Sequence, residues 1–166
     1  LTGTPHCVKP SSVEKLIQRG WAIHVLPSYS DVNNNSEIFE IGKYQVQTEN
    51  VNYSDKSIGY LARPVSGESF PGVIMIHEWW GLNDYSKMRA RKLAELGYIA
   101  MAVDMFGDGK IARDPKEAQE LTSPFYKDPQ LAKARLDAAL NKIKEYPQTD
   151  PANVAAIGYC FGGYVV

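Results

Sequence analysis

The stretch that most limits what this chain can become is Val154-Ala-Ala-Ile-Gly-Tyr-Cys-Phe-Gly-Gly-Tyr-Val-Val166, in which Gly158, Cys160 and Gly162 fall at alternate positions. An apolar run of strand length leads into the cysteine. Glycines two before and two after it allow a turn so tight that a Cβ at either place would collide. That is the pattern of a strand–turn–helix elbow with Cys in the place of Ser. A thiol presented there stands at a helix N-terminus, where the helix dipole and free backbone N–H groups favour thiolate and can hold a developing oxyanion. The alternative is a buried structural cysteine.

The residues ahead of the elbow supply the layers such a turn needs. Ser11-Ser12-Val13-Glu14 is a capping-box pattern, and Val13, Leu16 and Ile17 follow at helical spacing with Gly20 as the stop. One short helix is expected in an N-terminal appendage, residues 1–36, closed by the polar link Asp31–Ser36; the main domain is then 37–166. Residues 43–52 and 56–63 mix β-branched and aromatic types and read as two strands joined by a turn at Asn52–Asp55. Gly72–His77 is a continuous apolar strand, as expected where both faces of a parallel strand are covered. Asn83 or Asp84 can cap a helix with Tyr85, Met88, Leu93 and Leu96 on its inner face and Lys87, Arg89 and Arg91 outward, ending at Gly97. The strand Tyr98–Val103 and a loop over 104–114 follow. Asp128-Pro129 then opens a helix with Leu136, Ala139, Leu140 and Ile143 inward, and Asp150-Pro151 turns the chain into the strand Val154–Tyr159. Strand and helix in alternation predict an α/β fold, a mostly parallel sheet with helices on both faces.

Composition narrows the function classes. With 166 residues, 44% hydrophobic and 22% charged, the chain can bury roughly 70% of its unfolded surface. The net charge of −1 comes from interspersed charges, with no basic block, so no nucleic-acid partner is expected. No apolar run approaches the roughly 20 residues of a membrane span. Leu1 is not an initiator Met, so the chain reads as a fragment or a processed product; the cytoplasm is the default compartment, with export behind a removed signal as the alternative. Cys7 and Cys160 are too few and too distant for a disulfide framework. His77-Glu78-Trp-Trp-Gly81 starts like a zinc-protease helix, but Gly81 stands where the second His is required, so no metal is expected. Gly107-Asp-Gly-Lys110 and Gly158–Gly163 lack the spacings of phosphate and dinucleotide loops, and no cofactor is expected.

Three segments, Pro71-Gly-Val-Ile-Met-Ile-His-Glu-Trp-Trp-Gly-Leu-Asn-Asp84, Ala94-Glu-Leu-Gly-Tyr-Ile-Ala-Met-Ala-Val-Asp-Met-Phe-Gly107 and Gly158-Tyr-Cys-Phe-Gly-Gly163, together resemble the dienelactone hydrolase family of α/β-hydrolases over roughly residues 43–166. The resemblance implies that Cys160 is a nucleophile for small ester or lactone substrates, passing through an acyl-enzyme. It implies that Glu78 faces the cysteine at rest and accepts its proton, the bland alternative being a solvated carboxylate. The oxyanion hole would use the backbone N–H groups of Trp79 and Phe161. The indoles of Trp79 and Trp80 either wall an acyl pocket or pack their loop, and His77 reads as structural. Family members hold a substrate carboxylate with arginines; Arg113 is the nearest match, with Lys110 and Lys116 beside it, although a solvated charge is the plainer reading of each.

Asp104 reads as a turn or capping residue, because in this fold the triad acid and His follow the nucleophile in the chain. Both are expected beyond Val166, so the domain reads as truncated after the nucleophile strand, with that strand's outer edge bare and the segment alone inactive. Three readings follow: a thiol ester hydrolase, a catalytically incompetent hydrolase-like fragment or binding module, and, weakest, a redox cysteine protein. The oligomeric state is open.

Overall fold

The computed structural model describes residues 44–166. The expected appendage with its helix, the polar link and Cys7 lie outside the described residues. Five strands and four helices follow in the order β1 (Val46–Ser54), β2 (Ser57–Pro64), β3 (Phe70–Ile76), α1 (Asp84–Glu95), β4 (Ile99–Val103), α2 (Pro115–Lys127), α3 (Pro129–Lys144), β5 (Thr149–Gly158) and α4 (Phe161–Val165). The sheet order is β1-β2-β4-β3-β5. Strands β4, β3 and β5 pair in parallel, and β2 runs antiparallel to both β4 and β1, so four of the five strands point the same way.

Alternation along the parallel strands sends large and small side chains to opposite faces. On one face Ile74, Ile76, Ile99, Met101 and Val103 pack with Phe125 of α2, Ala132, Ala139 and Ile143 of α3, and Phe161 of α4. On the other, Met75, Ala62, Ala100 and Ala102 meet Ala90 and Ala94 of α1. Helices therefore cover both faces. Full burial of a side chain such as Ile76 or Leu61 contributes about 2 kcal/mol each relative to exposure.

The structure corrects four expectations. Pairing of β1 with β2 continues to Ser54↔Ser57, so the turn is Asp55-Lys56 rather than Asn52–Asp55; Val51 and Tyr53 alternate into the core and carry the strand onward. Helix α1 does not bury Tyr85 and Leu96, which are exposed; its inner face is Ser86, Ala90 and Ala94, because small residues let the helix lie close over the alanines of β2 and β4. Arg89 and Arg91 stay on the outer side of the helix and donate to the hydroxyls of Tyr159 and Tyr60. Helix α2 was absent from the expected order although Asp114-Pro115 repeats the cap-and-proline signal of Asp128-Pro129; the Asp114 side chain accepts from Glu117 N–H, and the helix continues through Pro124. Finally, β5 begins at Thr149, with an irregularity where Asp150 opposes Pro71 and Val154 opposes Gly72.

Other boundaries agree with the sequence. Asn83 caps α1 by accepting from Ser86 N–H, and Gly97 adopts φ +93 after its end. No helix among the described residues is long and apolar enough to cross a membrane.

Candidate active site

Because β3, β4 and β5 are parallel, their following loops meet at one edge of the sheet. The β3–β5 register ends with Ile76 opposite Gly158. Glu78 and Cys160 each lie two residues beyond that pair, so two neighbouring strands deliver a carboxylate and a thiol to the same end.

The turn at Cys160 is as tight as its glycines require. Cys160 has φ 54 and ψ −114, a region an L residue rarely occupies, and serves as N-cap of α4 without a side-chain hydrogen bond. A Cβ on Gly158 would lie 2.1 Å from the carbonyl oxygen of Gly162, and one on Gly162 would lie 2.6 Å from that of Ile76 and 2.8 Å from that of His77. The elbow is thus pressed against the end of β3. Gly162 N–H donates to Tyr159 O at 2.8 Å and Gly163 N–H to Cys160 O at 3.0 Å, which closes the first turn of α4. Cys160 is exposed.

Glu78 is half-buried and forms no ion pair among the described residues. Trp79 packs partly against the main core and meets the ring of Trp80 edge-on at 5.1 Å. The loop carrying both is fixed from the β4 side: Gly81 bridges to Ile111, and Ala112 N–H donates to Trp80 O at 3.0 Å. Gly81 has φ +96, and a Cβ there would sit 2.4 Å from Lys110 O. Phe161 is buried and its ring meets those of His77, Phe106, Phe125 and Tyr126.

His77 is fully committed elsewhere. Its Nε2 accepts from Met105 N–H at 3.3 Å and its Nδ1 pairs with Glu78 O, which together specify a neutral ring protonated at Nδ1. Burial pushes its pKa below the ordinary 6.5, against smaller upward contributions from its backbone partners and Asp104. Asp104 is buried and its two carboxylate oxygens accept from Gly107 N–H and Gly109 N–H, each at 2.9 Å, so it organises the loop after β4. Both side chains hold the scaffold of the site.

The charged candidates of the same loop face water. Arg113 pairs with Glu117 at 3.0 Å, with 86% of its side chain exposed, and Lys110 pairs with Asp108. Lys116 is exposed.

Sequence reasoning missed an aromatic rim around the thiol. Tyr126 of α2 lies against Tyr164 of α4, ring centroids 4.6 Å apart, and its phenol is raised by burial and then by the neighbouring Cys160. Tyr159, next to the thiol, accepts a 2.8 Å hydrogen bond from Arg89 Nη2, whose guanidinium lies 5.4 Å from its ring. Tyr126 escaped notice because its helix did; the Arg89–Tyr159 contact joins residues 70 apart in sequence.

Known proteins resemble this chain over most of its described length. Protein usf of Aquifex pyrophilus is 38% identical over 109 residues, covering 63% of this chain and 46% of its own length. The solved structure of P91, a dienelactone hydrolase-like promiscuous phosphotriesterase from metagenomic libraries, superposes with a TM-score of 0.66 at 34% identity, covering 75% of this chain and 52% of its own. The structure named m3DLH gives a TM-score of 0.67 at 33% identity, with the same coverage. The chain spans about half the length of these relatives. The sequence model of the dienelactone hydrolase family matches residues 58–166. A five-stranded α/β sheet that presents Cys160 on a glycine-flanked elbow at its C-terminal edge, together with that match, makes this chain a member of the dienelactone hydrolase family.

Proposed function

We propose that the protein hydrolyses small carboxylic esters or lactones with Cys160 as nucleophile. The observation that carries the reading is the backbone of Cys160 itself: an exposed thiol at φ 54, kept there by two glycines whose neighbours leave no room for a Cβ. Strain at one exposed residue costs on the order of 1–3 kcal/mol and persists only where the surroundings impose it.

In this mechanism Glu78 takes the thiol proton as substrate enters. The thiolate forms a C–S bond to the carbonyl carbon, and the displaced electron pair becomes an oxyanion held by the N–H groups of Trp79 and Phe161. Collapse breaks the C–O bond and expels the alkoxide, which takes the proton held by Glu78 and leaves as the alcohol; in a lactone it stays tethered to the acyl group. Water then cleaves the thioester, a step that needs a base. His77, the histidine among the described residues, has both nitrogens engaged and cannot serve. The reading therefore assigns the triad aspartate and histidine to the portion that follows the elbow in a protein of the relatives' length.

The test uses the full-length protein and p-nitrophenyl acetate. Turnover should fall by about a thousandfold or more on alkylation with iodoacetamide and in Cys160→Ala. Turnover that survives both rejects Cys160. A single equivalent of p-nitrophenol released without turnover would instead support the second reading, an elbow that acylates but lacks its base; the commitment of His77 is the observation behind it.

A further inference from the structure

The peptide unit between Glu78 and Trp79 carries, on one side, the N–H that would hold the oxyanion. On the other side its carbonyl is gripped by two donors. Glu78 O accepts from His77 Nδ1–H, and from Gly81 N–H at 3.4 Å. The unit is trans, so its N–H lies opposite its C=O, and donors that fix the carbonyl also aim the N–H. Trp79 N–H itself donates to no group among the described residues.

Of the two donors, the histidine is the rigid one. Its ring is buried and packs against Phe106 and Phe161, with centroids 4.7 and 6.0 Å away. Met105 N–H donates to Nε2 at 3.3 Å, which makes Nε2 the acceptor and leaves the ring proton on Nδ1, the nitrogen facing Glu78 O. Burial lowers the ring's pKa, so it stays neutral and keeps this tautomer. A chain of hydrogen bonds therefore runs from the backbone after β4, through the imidazole, to the peptide after β3. Bonds in series polarise one another, which leaves the N–H at the far end of that peptide a stronger donor. The elbow presses on the same backbone, because the carbonyls of Ile76 and His77 leave no room for a Cβ on Gly162.

We infer that His77 is a positioning residue for acyl transfer: its Nδ1–H fixes the Glu78–Trp79 peptide so that Trp79 N–H faces the carbonyl oxygen of a substrate on Cys160. This rests on the reading that Cys160 attacks a carbonyl and that Trp79 N–H receives the oxyanion. The two nitrogens of the ring divide the work. Nε2 ties the loop after β4 to the fold, and Nδ1 acts on the reaction.

The test compares two reactions of one thiol in the full-length protein. Acylation by p-nitrophenyl acetate, followed as release of p-nitrophenol in a single turnover, passes through an oxyanion; alkylation by iodoacetamide does not. His77→Gln carries its amide out to the Nε2 position and gives up the donor to Glu78 O, whereas His77→Asn carries one at the Nδ1 position and keeps that donor. Acylation should slow at least about tenfold in His77→Gln, somewhat less than the roughly 10²–10³ that follows outright loss of an oxyanion donor, and should recover to within about threefold of wild type in His77→Asn. Alkylation should stay within about twofold of wild type in both, since no oxyanion forms. Acylation unchanged in His77→Gln, acylation and alkylation falling together, or His77→Asn no faster than His77→Gln would overturn the inference. A wild type whose release of p-nitrophenol ignores prior alkylation rejects the nucleophile reading first, and this inference with it. If His77→Gln fails to fold, NMR of the wild-type imidazole decides. Its Nδ1–H resonance should move when trifluoroacetone adds to Cys160 as a tetrahedral oxyanion and hold when iodoacetamide alkylates it; equal shifts, or the reverse, overturn the inference.

Discussion

The residues that decide the elbow are those with the least side chain. At Gly162 an added methyl would meet the backbone carbonyls of Ile76 and His77, at the end of a central strand that cannot retreat without breaking its own register. Gly162→Ala should cost about 3 kcal/mol, the upper end for overpacking, and lower Tm by about 6–12 °C in calorimetry. A smaller loss would mean the elbow is not packed as described. Cys160→Gly runs the other way. Relief of a φ of 54 is worth on the order of 1–3 kcal/mol, against roughly 0.5–1 kcal/mol for the extra freedom of glycine in the unfolded chain. Relief wins, so this variant should melt a few degrees higher while losing all acyl-enzyme formation, measured by mass spectrometry after mixing with p-nitrophenyl acetate. A variant that melts lower would show that the thiol is not held under strain.

At the scale of elements, what was legible in the sequence was what depends on local pattern. The apolar runs at Gly72–His77 and Tyr98–Val103 became β3 and β4, and the glycine spacing around Cys160 gave the elbow. Fit between elements was less legible. Helix α1 was expected to bury its largest side chains, but the face it covers is built from Ala62, Ala100 and Ala102, and only Ser86, Ala90 and Ala94 allow so close an approach. Arg89–Tyr159 and Arg135–Ser57 join residues 70 and 78 apart, which no local pattern encodes. The same fit makes a prediction. Ala90 is fully buried, so Ala90→Leu should destabilise by about 1–3 kcal/mol in urea titration, whereas Leu96→Ala on the exposed end should change stability by less than about 0.5 kcal/mol. Equal effects at the two sites would place α1 elsewhere on the sheet.

For the folded unit as a whole, two buried titrating groups at the site end of the sheet set opposite limits on pH. Tyr53 donates its hydroxyl to Asp104 O at 2.7 Å and is pushed up to about 12, chiefly by burial; a Ser57 hydrogen bond and Arg135 act downward, and Asp104 upward. The unfolded chain loses this proton near 10 while the folded chain keeps it, so the stabilisation is complete below pH 10 and disappears as pH rises through 12. Two pKa units correspond to about 2–3 kcal/mol. His77 acts on the acid side. Its folded pKa lies below 6.5, so the unfolded chain gains a proton first, and stability present above 6.5 is lost as pH falls below it. Glu117 and Asp150, whose carboxyls are lowered by hydrogen bonds to Arg113 and Asn153, titrate only below the ordinary carboxylate range and leave that window to His77. Urea midpoints from pH 5 to 11 should therefore trace a plateau between about 6.5 and 10 with a decline on each side. Tyr53→Phe should flatten most of the alkaline limb, Tyr126 and Tyr146 supplying the remainder because their phenols are also raised by burial. His77→Gln should flatten the limb just below 6.5 and leave the alkaline one intact. An alkaline limb that survives in Tyr53→Phe at full slope would mean that the hydroxyl between β1 and Asp104 is open to water, and that the turn bearing Lys56 is not anchored to the loop after β4 as the structure has it.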